Sequence, residues 1–162
     1  MRFVEGVADV ESVDAFVAAV GEVAEETGAT VQVFDARYVA DEEHLRRAVE
    51  LADRAIDRGE NVARDRAVEI LLYAAGRRQI DDALTMGVSA GETPAVALVD
   101  GGDEAAAATR LREMLGDEPT LGRVGDDRLR EFFDVGDAEL ATVDGDVGSL
   151  VRERVALLNV EK

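Results

Sequence analysis

The sequence lacks several residue types that common functional sites require. Its 162 residues include no cysteine, no tryptophan, one lysine and one histidine, His44. The absence of cysteine excludes disulfides, thiolate metal sites and cysteine nucleophiles, and one histidine is too few for the usual zinc sites. No apolar run approaches the ~20 residues of a membrane span. The charged, strand-like start of the chain is not typical of a signal peptide, so a cytoplasmic location is expected.

The charge is strongly one-sided. There are 36 acidic and 18 basic residues, a net charge of −18, and 17 of the basic residues are arginine. Such an acidic, lysine-poor composition is typical of organisms that hold molar salt, where the Debye length falls to ~3 Å at 1 M and self-repulsion is screened. The alternative is an ordinary acidic protein that avoids nucleic acid. Under the halophilic interpretation, net charge says little about partners.

The hydrophobic pattern predicts an α/β (α+β) chain in which residues 1–162 form a single domain. Strands are predicted at 1–10, 29–35, 93–100 and 140–143, and the continuous apolar run of the third indicates burial on both faces. Helices are predicted from Ser12 to Gly28, from Asp41 to Gly59, at 64–75, 78–86, 103–115 and 127–133, and from Asp146 or Ser149 onward. The expected architecture is a mixed β-sheet with a central helical block and flanking helices.

No catalytic motif is present, so we expect no enzyme, no catalytic residue, no metal and no cofactor. Nucleotide-binding glycine loops, HExxH and GxSxG are all missing. We interpret His44 as an exposed helix residue among carboxylates rather than as a general base. Neighbouring carboxylates would suit Mg²⁺ binding or acid–base chemistry, but with 36 acids such pairs arise by chance. These pairs are Glu25/Glu26, Glu42/Glu43, Asp81/Asp82 and Asp126/Asp127.

The scarce arginines are concentrated in one segment. Residues 46–82 contain eight arginines and eight acids, whereas the other 125 residues contain 10 basic and 28 acidic residues. A neutral, arginine-rich strip on an acidic chain is where an anion would dock. Alternatively, these arginines pair with acids one helical turn away, as the spacing of Glu50 and Arg54 allows. Arg77 and Arg78 follow Gly76 at a predicted helix start, which favours phosphate binding.

The segment 64–84 resembles the central signature of the TPRKB-like kinase-binding proteins, the small regulatory subunits of the KEOPS complex in archaea and eukaryotes. That signature is E-x-L-L-Y-x-x-G followed by x-R-Q-I-x-x-A-L. The matching residues are Glu69, Leu71, Leu72, Tyr73, Gly76, Arg78, Gln79, Ile80, Ala83 and Leu84. The helix before this segment, strand 94–99 and the closing helix fit the same family in order.

The resemblance implies a non-catalytic subunit with two partners. KEOPS installs threonylcarbamoyladenosine next to the tRNA anticodon. Members of this family bind its kinase-like ATPase subunit and, in archaea, hold tRNA chiefly through the 3′ CCA end. The residues expected to bind tRNA are Arg64, Arg66, Arg77, Arg78, Gln79 and Ile80, by phosphate contacts, base-edge contacts and stacking. The candidate surfaces for binding the ATPase subunit are helix 13–23 and the apolar stripe of the last helix, formed by Val151, Val155 and Leu158.

Several of these assignments have structural alternatives. Gln79 would equally cap a helix, Tyr73 is more consistent with core packing than with stacking, and the stripe of the last helix would equally face the interior. For the whole chain, the alternatives are a small acidic enzyme that uses carboxylates and Mg²⁺, and a protein-interaction module without RNA.

Overall fold

The computed structural model describes residues 1–123 and 125–161, and its elements confirm the predicted α/β class. The strands are β1 (Arg2–Val10), β2 (Thr30–Asp35) and β3 (Gly91–Asp100). The α-helices are α1 (Val13–Thr27), α2 (Glu42–Asp57), α3 (Arg66–Ala75), α4 (Ile80–Ala83), α5 (Glu104–Leu115), α6 (Asp127–Phe132), α7 (Asp137–Thr142) and α8 (Val147–Glu161). Short 3₁₀ helices span Ala36–Tyr38 and Leu84–Met86. None of these described helices is long and apolar enough to cross a membrane.

The elements group into two compact units. The sheet unit comprises Met1–Ala36 and Gly87–Val124, and the helical unit comprises Arg37–Met86 and Gly125–Lys162. The sheet has the order β1-β3-β2, and both pairings are antiparallel. The expectation of a mixed sheet is therefore wrong for the described strands. The strand expected at 140–143 is also wrong, because this stretch belongs to helix α7 and the turn after it.

The core of the sheet unit lies between the sheet and helices α1 and α5. Alternate strand residues on one sheet face are buried against these helices, as the period of two along a strand requires. They include Val4, Ala8, Val31, Val33, Ala97 and Val99, which pack with Val23, Ala107, Leu111 and Leu115. All residues from Ala95 to Val99 are fully buried, which confirms that side chains on both faces of β3 are shielded.

A segment that follows α5 is fastened to strand β1 by Glu5. The Glu5 backbone carbonyl accepts from the Glu118 N–H at 3.1 Å. The Glu5 carboxylate accepts from the N–H groups of Thr120 and Leu121 at 2.9 and 2.8 Å. The buried Thr120 hydroxyl donates to the Ala95 carbonyl. Residues 118–121 are therefore held to the strand through both backbone and side-chain contacts.

The helical unit is built on α2, which packs against α3 and α8. Its long helices begin where the sequence predicts, because Asp41 and Asp65 accept N–H groups of the first turns of α2 and α3. Such caps satisfy donors that have no partner inside the helix. The apolar face of α8 is part of this core: Val151 and Val155 are fully buried, and Leu158 is 1% exposed.

Candidate functional site

The turn after α3 fixes the position of the arginine pair. Helix α3 ends at Gly76, whose φ of 62° lies in the left-handed region that favours glycine. The Arg77 N–H then donates back to the Leu72 carbonyl and the Gly76 N–H to the Tyr73 carbonyl, both at 3.0 Å. This is a helix C-terminal motif that satisfies the last carbonyls. Residues 76–79 therefore form the turn between α3 and α4, and the helix expected from residue 78 begins only at Ile80.

His44 ties the start of α2 to the end of α3, and the expectation that it is exposed is wrong. Its ring is fully buried. Nε2 donates to the Ala74 carbonyl at 2.7 Å, while Nδ1 accepts from the Ala40 N–H at 3.1 Å. Burial lowers the pKa of His44 to about 4, against a partial opposing effect of the Ala74 hydrogen bond. The ring is therefore neutral at pH 7, and both of its nitrogens are used in hydrogen bonds to the backbone.

The Arg77 side chain is held by contacts with other groups of the protein. Its Nη1 donates to the Ala75 carbonyl at 3.2 Å and its Nη2 to the Phe132 carbonyl at 2.5 Å. Its guanidinium carbon also lies 4.2 Å from the centroid of the Phe132 ring, over the ring face. These contacts hold the guanidinium in one orientation. The half-buried Arg77 guanidinium is thus already hydrogen-bonded, and its contact with a phosphate stays a prediction.

Arg66 and the arginines of α2 form ion pairs, as the structural alternative predicted for α2. Arg66 donates from Nε and Nη2 to the two carboxylate oxygens of Asp53, both at 2.8 Å. The Glu50 carboxylate accepts from Arg54 at 3.2 Å and from Arg47 at 2.7 Å. Arg66 is thus bound to an acid in a two-point contact, which makes it a poor phosphate ligand unless Asp53 is displaced.

The remaining predicted site residues do face solvent. Arg64, Arg78 and Gln79 are exposed, and Ile80 is 43% exposed. The Gln79 side chain forms no capping hydrogen bond to α4, so the capping interpretation is wrong. Tyr73 is fully buried, which confirms its assignment to the core. Arg78, Gln79 and Ile80 lie consecutively in the chain, and the exposed Leu84 follows one helical turn after Ile80.

Beside this turn lies an open cleft of about 470 Å³ in the helical unit. It is lined by Tyr38, Arg77, Thr85, Arg128, Glu131 and Phe132. The Tyr38 and Phe132 rings meet edge to face, with centroids 5.4 Å apart and an interplanar angle of 71°. Sequence reasoning missed all of these residues except Arg77. The scarcity of aromatic residues was the signal that could have identified Tyr38 and Phe132, because the chain has only five phenylalanines and two tyrosines.

The carboxylate pairs do not assemble into a metal centre. Among the residues that the structure describes, no three acids or histidines lie close enough together to hold a metal ion. Glu42 and Glu43 both contact Arg46, and Glu26 forms an ion pair with Arg110. No observation therefore favours an enzyme that uses carboxylates and Mg²⁺.

The expected partner-binding stripe is not accessible. Val151, Val155 and Leu158 are buried in the core of the helical unit, so the expectation that they form an open docking surface is wrong. The period of 3.6 correctly placed the three side chains on one helix face, and that face packs against α2 and α3. On the same helix, Leu157 is 44% exposed.

Fold and site together are those of a small α/β binding protein whose arginines are concentrated in one unit: 13 of the 17 lie in the helical unit. The sequence profile of the family described as kinase binding protein CGI-121 matches residues 8–158, and the chain belongs to this family. No curated protein sequence matches the chain. The profile match extends over both units and includes the whole of the 64–84 segment.

Proposed function

We propose that this chain is the small, non-catalytic subunit of a KEOPS complex. In this role it binds the kinase-like ATPase subunit and the 3′ CCA end of tRNA, and so supports threonylcarbamoyladenosine formation next to the anticodon. The observation that carries the proposal is the 64–84 signature inside a chain of the kinase-binding family CGI-121. The family description supports the kinase partner, and the distribution of arginine supports an anionic partner.

The RNA-binding surface that we propose centres on Arg78, Gln79 and Ile80, with Arg64 contributing at a separate exposed position. An exposed guanidinium, an amide and an aliphatic side chain in sequence supply a phosphate contact, a base-edge contact and a stacking surface. Arg66 and Arg77 act indirectly in this proposal, because their guanidiniums are held by Asp53 and by Phe132. At molar salt the counterion contribution is small, so stacking and hydrogen bonds matter more than charge.

Fluorescence anisotropy with labelled tRNA tests the RNA half of the proposal. At about 1–2 M KCl, where exposed charges are strongly screened, intact tRNA should bind more tightly than tRNA that lacks its CCA end. Equal affinity for the two RNAs, or no binding of either, contradicts the proposal and leaves a protein-interaction module without RNA.

Charge reversal at Arg78 locates the contact. Arg78→Glu should weaken tRNA binding about tenfold, the effect of losing roughly 1.4 kcal/mol. The matched control is Arg112→Glu, which reverses an exposed arginine on α5 in the sheet unit. In a pull-down with the kinase-like subunit, both variants should bind as the wild type does. Loss of kinase binding in Arg78→Glu alone would assign this turn to the protein partner instead.

A further inference from the structure

The cleft beside the post-α3 turn combines a flat platform with unused polar groups. The platform is the Arg77 guanidinium over the face of the Phe132 ring, at 4.2 Å. Two hydrogen bonds to backbone carbonyls fix the guanidinium plane. Guanidinium planes and aromatic rings are the surfaces on which unpaired bases stack. Because Arg77 is already ordered, little side-chain entropy is lost when a ligand stacks on it.

A second ring closes one side of the platform. Tyr38 stands at 71° to Phe132, so its ring is a wall rather than a second parallel surface. Within residues 1–123 and 125–161, the Tyr38 hydroxyl has no hydrogen-bond partner, and the exposed Thr85 lines the same cleft. A flat ligand that stacks on the platform therefore meets an aromatic wall and hydroxyl groups that can donate or accept.

Helix α6 adds one charge of each sign. Arg128 and Glu131 are exposed and one helical turn apart, and neither forms an ion pair with another residue in the described part of the chain. Arginine suits a phosphate. A carboxylate only accepts hydrogen bonds, so Glu131 suits an amino group on a base. Adenine, cytosine and guanine carry such a group, whereas uracil does not.

We propose that this cleft binds one unstacked nucleotide, with its base on the Arg77–Phe132 platform, its phosphate at Arg128 and its exocyclic amine toward Glu131. The volume of about 470 Å³ lies within the range of small-ligand pockets. The nucleotide is either free or part of an RNA strand, and the second source rests on the proposed function. In both cases Arg77 recognises a ring face rather than a phosphate.

Calorimetric titration with AMP and UMP is the direct test. AMP should bind about tenfold more tightly than UMP, because only AMP offers Glu131 an amino group. Glu131→Gln should remove most of this preference. Arg128→Gln should weaken the binding of AMP about tenfold but leave the binding of adenosine unchanged. Arg112→Gln, the same change on the sheet unit, is the matched control and should alter nothing.

Arg77→Lys tests the contribution of the platform separately, because lysine keeps the positive charge but lacks the planar guanidinium. This variant should bind AMP at least about tenfold more weakly, and a circular dichroism melt should show that it is folded. If Arg77→Lys fails to fold, Arg128→Gln and Glu131→Gln still decide the case, because their side chains are exposed.

The same variants with tRNA distinguish the two sources. If the cleft variants weaken the binding of both AMP and tRNA, the nucleotide belongs to an RNA strand. If AMP binds the cleft and tRNA does not bind the protein, the cleft is a free-nucleotide site and the proposed RNA role fails. If tRNA binds every cleft variant as it binds the wild type, and AMP does not bind, the cleft proposal is overturned while the RNA role stands. Binding of neither overturns both.

Discussion

At the scale of single residues, His44 shows how burial changes the role of a titratable group. The imidazole is enclosed in the helical unit and uses both ring nitrogens, one as donor and one as acceptor. Protonation would place a charge in this enclosed position and would turn the accepting Nδ1 into a second donor that faces the Ala40 N–H. The lowered pKa of about 4 reflects this cost.

The stability of the protein should therefore fall as the pH falls below 6.5. The unfolded chain binds a proton on His44 near pH 6.5, whereas the folded chain does so only near pH 4. Between these values the unfolded state binds more protons, so stability rises with pH. The slope is about 1.4 kcal/mol per pH unit, or about 2 kcal/mol lost between pH 6.5 and 5. Urea unfolding at several pH values measures this loss.

The variant His44→Gln is the control for this dependence. Its amide can still donate to the Ala74 carbonyl, and it does not titrate. Because His44 is the only histidine, the variant should show a nearly flat stability between pH 6.5 and 5, whatever its absolute stability. A slope that persists in His44→Gln would assign the acid sensitivity to other groups.

The sequence contains part of the information on these residues. His44 lies four, seven and eleven positions before Ala48, Leu51 and Ala55, all of which are buried. That spacing indicates the buried face of a helix, although the surrounding acids suggested exposure. The contact of Arg77 with Phe132 spans 55 positions. No local spacing reports such a contact, so the contact of Arg77 with Phe132 could not be predicted from the sequence.

At the scale of elements, the turn between β3 and α5 depends on a close backbone approach. Gly102 has a φ of 57°, and a Cβ there would lie 2.4 Å from the Gly28 carbonyl carbon. Gly101 also has a positive φ, of 82°, but a Cβ there would meet nothing within 4 Å. Substitutions at these two neighbouring glycines therefore distinguish the effect of backbone strain alone from the effect of strain combined with steric collision.

Gly102→Ala should destabilise the protein by about 3 kcal/mol, because the alanine suffers both left-handed strain and collision with backbone atoms. Gly101→Ala should lose only about 1 kcal/mol, the strain alone. Chemical unfolding of the two variants measures the difference. Equal losses in both variants would show that the approach of Gly28 to Gly102 does not constrain the fold.

The elements that were predicted well have strong local signals. Helices α1, α2, α3 and α5 each begin after a Ser or Asp that accepts an N–H of the first turn. The errors occurred where the signal was short. Four residues at 140–143 have no decisive period, and the start of α7 is supported by Asp137 and Glu139 in its first turn. Strand direction depends on pairing between segments that are distant in the chain, so the antiparallel sheet could not be predicted from local sequence patterns.

At the scale of the whole molecule, charge is unevenly distributed between the two units. The sheet unit has 15 acidic and four basic residues, and the helical unit has 21 acidic and 14 basic residues. The arginine-rich segment of the sequence thus lies in the less acidic unit, to which we assign the proposed anion site. It did not indicate the cleft, whose aromatic residues come from segments almost a hundred positions apart in the chain.

Salt should stabilise this protein markedly. Raising KCl from about 0.1 to 1 M shortens the Debye length from ~10 to ~3 Å and screens the repulsion among 36 acids. We expect the melting temperature to rise by at least about 5 °C over this range. Differential scanning calorimetry across a KCl series measures the shift.

Screening has a recognisable salt dependence. Most of the gain should occur below about 1 M, and NaCl at equal ionic strength should act as KCl does. A melting temperature that stays constant or falls over this range would contradict the halophilic interpretation and favour an ordinary acidic protein.

The attachment of residues 118–121 to Glu5 has a consequence for behaviour in a crowded cell. A strand at the border of a sheet offers unpaired backbone groups that invite pairing with another chain. On β1 the Glu5 carbonyl is already occupied by the chain's own Glu118 N–H, and the Glu5 carboxylate holds the following residues in place. Glu5 therefore keeps residues 118–121 on the edge of strand β1. This part of the edge cannot pair with a strand of another chain, which protects the protein against sheet extension and aggregation.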